Sequence, residues 1–407
     1  MTDPIVIEAW VEFAVRWLHV ITAIAWIGSS FYFIALDLGL RKADDMPDLA
    51  SGEEWQVHGG GFYHITKYMV APARLPEHLV WFKWESYATW LSGFALLILV
   101  YYLGAELYLI DPNVLDIPVW AGVVISLASL TLGWLAYDRI CKSKFGDDNT
   151  RLMILLFGIL VLMSWGYTQV FSGRAALLHL GAFTATIMSA NVFMIIIPNQ
   201  KIVVDDLKAG RTPDAKYGKI AKQRSTHNNY LTLPVLFLML SNHYPLAFAS
   251  QYNWLIAALV FLMGVTIRHF FNTMHQKKGM LWWTWGLTAA LFGVIVYLST
   301  LGIPDTAQDA TAARDPHAER FASADGFMDV FDIVQANCAM CHAREVFWPG
   351  LAWAPKGVVL ETEADVASQA RAIFLQAGAS HAMPPGTANY MQPEDRAAIV
   401  AWFRGAN

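Results

Sequence analysis

The residues with the clearest chemistry stand near the carboxyl end, in Asn337-Cys338-Ala339-Met340-Cys341-His342. Cys-x-x-Cys-His is the spacing of c-type haem attachment. Two thiols one helical turn apart can add across the two vinyl groups of haem, and the next residue, His342, then lies under the iron as an axial ligand. The second axial ligand is expected from a downstream loop. Met383 in Ala382-Met383-Pro384-Pro385-Gly386 fits, because the prolines stiffen the loop, and Met391 is the alternative. Histidine–methionine ligation raises the potential relative to bis-histidine ligation. Cys338 and Cys341 have two other readings. A zinc half-site would want two more Cys or His at matching spacing, and a redox dithiol would want a βαβ context.

Further histidines sit in apolar surroundings. His19 follows Arg16, His179 follows Arg174, and His243 lies in Ser241-Asn242-His243-Tyr244-Pro245. A second group contains His58-Gly59-Gly60-Gly61-Phe62-Tyr63-His64, His227-Asn228-Asn229-Tyr230, and Arg268-His269 with Asn272 and His275. Arg268, Asn272 and His275 fall on one helix face. Amide and guanidinium groups there could read a flat polar heterocycle, and the triglycine would let a loop approach a ligand closely. No G-x-G-x-x-G follows a strand, so no dinucleotide site is expected. Taken singly, each of these histidines could equally be a satisfied interior side chain or an interfacial contact.

The elements that must position them are apolar helices. The chain has 407 residues, 56% hydrophobic and only 15% charged, against about 25% charged in soluble domains. The net charge of −5 gives no basic field for nucleic acid, and three cysteines make no disulfide scaffold. Segments near 12–36, 85–104, 119–138, 152–170, 173–197, 230–248, 252–271 and 281–301 are long and apolar enough to cross a bilayer. The sixth carries Pro234, Asn242, His243 and Pro245, which predicts a kinked or locally opened helix. Met1 to Glu12 has no features of a cleavable signal. The loops 37–84, 139–151, 198–229 and 268–280 hold 19 Lys and Arg, and the loops 105–118, 171–173 and 249–251 hold none. The positive-inside rule then puts both termini outside. Tryptophans such as Trp26, Trp81, Trp84, Trp282, Trp283 and Trp285 suit interface anchors, and Cys141 is an ordinary thiol.

This topology brings His19, His179 and His243 to one outer level, beside the tail. Ionisable residues inside a membrane are functional candidates. Arg16 and Arg174, on the side where the rule disfavours them, call for carboxylate partners such as haem propionates or an anionic substrate. A haem b held by His19 and His179, with His243 nearby, is one expectation. Helices one and five also share an Arg, His, Gly/Ala-rich order, with Phe33 and Phe193 equally spaced after the histidine.

The expected fold is therefore all-α. It comprises a polytopic membrane bundle of about eight helices over 1–301, a linker over 302–326 rich in Ala, Asp, Pro and Thr, and a small class I-like cytochrome c domain over 327–407. In that domain, Ile399, Trp402 and Phe403 line one side of a terminal helix that packs on the amino-terminal one.

The architecture resembles the bacterial membrane-bound urate oxidases (urate hydroxylases of the PuuD type). The likeness rests on Arg16-Trp-Leu-His-Val-Ile-Thr-Ala-Ile-Ala-Trp-Ile-Gly-Ser-Ser-Phe, on Ser189-Ala-Asn-Val-Phe-Met-Ile-Ile-Ile-Pro-Asn-Gln, on His227-Asn-Asn-Tyr-Leu-Thr-Leu-Pro and on the Cys338 motif. It implies oxidation of urate to 5-hydroxyisourate with water as the oxygen source. Electrons would pass to haem c and on to a soluble cytochrome c or a terminal oxidase. It also implies a place in the bacterial inner membrane with the cytochrome domain in the periplasm. His227, Asn228, Arg268, His269, Asn272 and His275 are the candidates for the chemistry. Helix one is similar, too, to the first helix of small membrane proteins that hold haem b, which favours His19. The competing reading is an electron-transfer subunit, linked to quinol or a partner protein, with no organic substrate of its own.

Overall fold

A computed structural model describes residues 4–68, 72, 75–112, 114–248, 250–301, 316–349, 351, 353–380, 382–384 and 391–406. The architecture is mostly helical, 70% helix and 5% strand. Each of the eight apolar segments is helical. α1 spans Pro4–Gly39, and α2, Trp84–Leu96, continues through a π-helical turn, Leu97–Tyr102. α3 is Val119–Cys141 and α4 is Asn149–Thr168. α5, Gly173–Ala190, runs through a second π turn, Asn191–Ile196, into α6, Ile197–Lys208. α7 is Ala215–Ser241, α8 is Asn253–His275 and α9 is Trp283–Thr300. Among the described residues, five helical stretches are long and apolar enough to cross a membrane: Val6–Gly39, Val119–Cys141, Asn149–Thr168, Gly173–Lys208 and Asn253–His275. Their outward faces carry Trp10, Trp17, Trp120, Leu132 and Ile154, all exposed. Water would penalise such faces and hydrocarbon would not.

Side-chain caps fix where several helices begin. Asp148 accepts from the backbone of Thr150 and Arg151 at the start of α4, Ser172 from Ala175 at the start of α5, and Asp214 from Lys216 at the start of α7. Each cap satisfies donors that the first helical turn leaves orphaned. Glycines let the helices approach. A Cβ on Gly133 would collide with the Phe183 ring, and one on Gly264 would meet the Pro234 ring at 2.6 Å. The Pro234 ring on α7 thus rests in a notch on α8, and α7 runs unbroken through it. The sixth apolar segment is interrupted further on: α7 ends at Ser241, and a short helix, Pro245–Phe248, follows a turn over 242–244, so the expected break falls at Asn242–Tyr244 and not at Pro234.

Two basic loops have more structure than their composition predicts. The stretch 198–229 is largely helical, forming α6 and the first half of α7. The stretch 37–84 contains a hairpin, β1 Ala50–His58 and β2 Gly61–Tyr68, which corrects the all-α expectation. Gly59 and Gly60 both have positive φ, 60° and 80°. A two-residue turn of this kind needs left-handed backbone at both positions. The triglycine is therefore a hairpin turn and not a ligand-approach loop. The hairpin is fastened to the inner end of α1 by backbone bonds between Arg41 and Glu53, the Lys67–Asp37 ion pair and the Tyr32 hydroxyl on Gln56.

The tail has its own core. It begins at Pro316, inside the stretch that reads as a linker. α10, Pro316–Ala322, buries Phe321 against Phe403, and the Trp402 indole N–H donates to the Phe321 carbonyl at 3.0 Å. α11 is Phe327–Cys338, α12 is Glu363–Ser368 and α13 is Pro393–Gly405. Ile399, Trp402 and Phe403 are buried against α11 and its neighbours, as their spacing predicts.

Candidate functional site

In the tail, α11 ends at Cys338 and its last carbonyl accepts from the His342 backbone at 2.9 Å, so the motif folds back on the helix end. His342 Nδ1 lies 2.8 Å from the Val358 carbonyl. A carbonyl accepts only from N–H, so this bond puts the proton on Nδ1 and leaves Nε2 with its lone pair for a metal. The Val358 segment is held in turn, with Leu360 N–H on the His342 carbonyl at 2.7 Å and the Gln335 amide on the Leu360 carbonyl at 2.6 Å. Burial, and then the neighbouring Cys341, push the Cys338 thiol up to about 11. It therefore stays protonated at neutral pH.

Met383 packs against the tail core, and its loop is gathered by one guanidinium. Arg396 Nη1 donates to the carbonyls of Ala377, Ser380 and Met383 at 2.6, 3.2 and 2.9 Å. Met391, the alternative ligand, is only 2% exposed and serves as a core residue. Pro385 and Gly386 lie outside the described residues. Among those described, no group of three or more His, Cys, Asp or Glu gathers to hold a metal, so a zinc site has no further ligands there.

The outer histidines do not share one level. His19 Nδ1 is tied to the Thr89 carbonyl at 3.0 Å and to Ser92 at 3.1 Å, with the ring against Gly93. Trp90 beside them donates to Thr186 on α5 at 3.1 Å. His179 is seven residues from Thr186, roughly 10 Å further out at 1.5 Å per residue. It is fully buried, with Nδ1 on the Ala175 carbonyl and Nε2 on Ser126, both at 2.8 Å. No ring nitrogen remains for a metal, so His179 does not fit as a haem b ligand. His19 does fit on its own side, with Nδ1 anchored and Nε2 open.

Among the described residues Arg16 pairs with Glu12, one turn back on α1. Arg174 grips the Asn242 carbonyl with Nε and Nη2 at 3.2 and 2.9 Å, flanked by the Tyr108 and Phe248 rings. His243 follows α7 and feels Arg16, Arg174 and Lys356, the last from the tail. The tail also docks on α1. Arg371 pairs with Glu8 at 3.1 Å, and Val6, Ala9, Trp10 and Phe13 face Leu375, Ala379 and Ser380.

The inner candidates divide into two networks on two faces of α7. His227 and Asn228 face α3 and the second π turn. His227 Nδ1 is 2.7 Å from the Tyr137 hydroxyl, and the Asn191 amide N–H reaches both Tyr137 and the Asn228 Oδ1 at 3.0 Å. Arg224, 1% exposed, closes this network on Asp138 at 2.8 Å. Asn229 turns instead to α8. Its Oδ1 accepts from Arg268 Nε at 3.4 Å and from Asn272 at 3.0 Å, while Arg268 Nη2 donates to Asn272 Oδ1 at 3.2 Å. The Arg268 guanidinium lies over the Phe31 ring at 4.2 Å. His269 points away, toward Trp283, and His275 stands one turn beyond Asn272 beside Phe271. Beside the first network, α3, α4, α5, α7 and α8 enclose a cavity of about 320 Å³. Its walls are apolar except for groups such as Tyr137, Tyr230 and His227, so a purine bearing several N–H and C=O groups would be left unsatisfied there.

A family model for the urate oxidase N-terminal region matches residues 5–299, all but the ends of the helix bundle. The chain belongs to the urate oxidase N-terminal family. Comparison with curated proteins and with solved structures gave no match. Membership makes this a urate oxidase-related protein and points to urate-related oxidation.

In this member of the urate oxidase N-terminal family, several of the telling residues escape a sequence reading. Asp138 and Arg224 are 86 positions apart and meet only across helices. Phe31 reads as one more apolar residue of α1. Asn229 adjoins Asn228, and only the 100° between successive helical residues signals that the two must serve different neighbours.

Proposed function

We propose that this chain is a membrane-embedded urate oxidase of the bacterial inner membrane that delivers its electrons to a haem c on its own periplasmic tail. One observation carries the reading. The urate oxidase family match covers the bundle, and the same chain carries Cys338-x-x-Cys341-His342 with His342 Nε2 kept free by the Val358 carbonyl. Urate and water give 5-hydroxyisourate, two protons and two electrons, with the new C5–O bond formed from water. The bundle's eight helices cross the bilayer, with the basic inner loops in the cytoplasm.

Haem c, bound through Cys338 and Cys341 with His342 and Met383 toward its iron, would supply a one-electron acceptor. The protein's own part is to hold that site. Val358 fixes the His342 tautomer, Arg396 gathers the Met383 loop, and the Arg371–Glu8 pair keeps the tail on the outer end of α1. The hydrocarbon layer is about 30 Å thick, too wide for one tunnelling step. On α1, His19 lies twelve residues from Phe31 and eleven from Glu8, about 18 and 17 Å at 1.5 Å per residue. A haem b with His19 as one ligand would divide that distance nearly in half. From the tail, electrons pass to a soluble cytochrome c or a terminal oxidase.

The test is a reduced-minus-oxidised spectrum of purified full-length protein, with urate as sole reductant and oxygen excluded. Reduction of the c-type band with formation of 5-hydroxyisourate is expected. A band that dithionite reduces and urate does not would overturn the assignment and favour an electron-transfer subunit. A His19→Ala protein that keeps the b-type spectrum of the parent, or a parent without one, would remove the relay.

A further inference from the structure

We infer that the urate anion is received at the inner end of the bundle by Arg268 and Asn229, with Phe31 and Asn272 shaping the seat. The inference rests on the proposed function and gives it a location.

Arg268 is 6% exposed and is the one Lys, Arg, Asp or Glu on α8. Its partners are two amide oxygens and an aromatic face, and no carboxylate pairs with it among the described residues. A buried guanidinium without a counter-charge is strongly disfavoured, so burial normally brings a carboxylate with it. Arg224, as deeply buried on the other face of α7, has Asp138. What Arg268 lacks is an anion.

Two neighbouring groups point the same way. Asn229 is 1% exposed, and its Nδ2 donates to nothing. His275 Nδ1, at the inner end of the same α8 face, is also buried without a partner. A single ligand that brings negative charge and acceptor atoms would satisfy all three. The groups gathered here, a guanidinium over an aromatic ring and two planar amides, favour a flat one. The guanidinium plane recognises a delocalised planar anion through paired N–H groups, the unpartnered Asn229 Nδ2 can donate to a ring carbonyl, and Asn272 Oδ1, with one lone pair still free, can accept from a ring N–H. The urate anion has this pattern, carbonyl and N–H alternating around a flat purine.

Asn229→Asp provides a test that does not depend on loss of fold. It sets a carboxylate where the amide oxygen already meets Arg268, so the guanidinium gains the counter-charge internally and the anion is excluded. Three proteins are compared in nanodiscs: wild type, N229D and R268Q. Urate binding is read by equilibrium dialysis, haem reduction by stopped flow and unfolding by thermal denaturation. The expected result is a rise in the urate Kd and KM of about 100-fold or more in N229D, the scale of losing one buried charge partner. N229D should melt no lower than wild type, and R268Q should lose urate binding as N229D does. If wild type binds and oxidises urate, and both variants keep its Kd and KM, the seat is elsewhere and the location falls while the urate reading stands. If wild type neither binds urate nor is reduced by it, the urate reading falls and this inference falls with it.

Discussion

Arg224 and Arg268 are both buried in the bundle, both reached through α7, and the fold treats them differently. Arg224 ends on Asp138, within a ring of Tyr137, Asn191, His227 and Asn228 that bonds mainly to itself, although Arg224 Nε donates to nothing. Arg268 ends on neutral amides, with donors left over beside it. The first arrangement locks helices together. The second stays incomplete until something negative arrives. Polar residues that look alike along one helix can therefore belong to structure or to chemistry, and their counter-charges tell which.

The largest effect expected from this contrast is on stability. Asp138→Asn leaves Arg224 buried without its carboxylate, and thermal unfolding in detergent should show a loss of about 3–5 kcal/mol. A loss below about 1 kcal/mol would mean that the ring is not closed by charge. The tail offers a parallel case, because Arg396 alone caps three carbonyls. Arg396→Ala should cost about 2–3 kcal/mol and weaken the red charge-transfer band that marks a methionine on ferric haem. A variant with that band intact would show that the Met383 loop holds itself. Tyr137→Phe removes one hydroxyl between His227 and Asn191, for about 1–2 kcal/mol, and should leave urate turnover almost unchanged; a large drop in turnover would move the chemistry to the closed ring. The smallest stability change belongs to Arg268→Gln, within about 1 kcal/mol of wild type, combined with loss of the urate response. Strong destabilisation there would make Arg268 another structural arginine.

The sequence makes the helices plain because each apolar stretch is long, and it makes the Cys338 motif plain because its spacing is local. Contacts made across helices are not written that way. Arg16 calls for a carboxylate, but nothing in the helix-one segment singles out Glu12 over a cofactor. His19 and His179 fall at similar distances from the starts of their apolar segments, yet α1 begins already at Pro4, and the interlock of Trp90 with Thr186 offsets the two histidines by about two turns. The hairpin was within reach, since Gly59-Gly60 between Val57 and Phe62 is a turn signal, but the surrounding charges make the stretch look like a loop. The Phe321 contribution to the tail core could not be read, because its partners Trp402 and Phe403 lie some eighty residues downstream.

The tail that rests on Glu8 and Trp10 is also tied to the bundle through its own chain. On the proposed function, a haem on this tail would be a permanent neighbour of the bundle, present at an effective concentration set by geometry and not by expression. The proposed first transfer out of the bundle would then be first order and indifferent to dilution. Only the handover from the tail to the next carrier should depend on protein concentration and on salt.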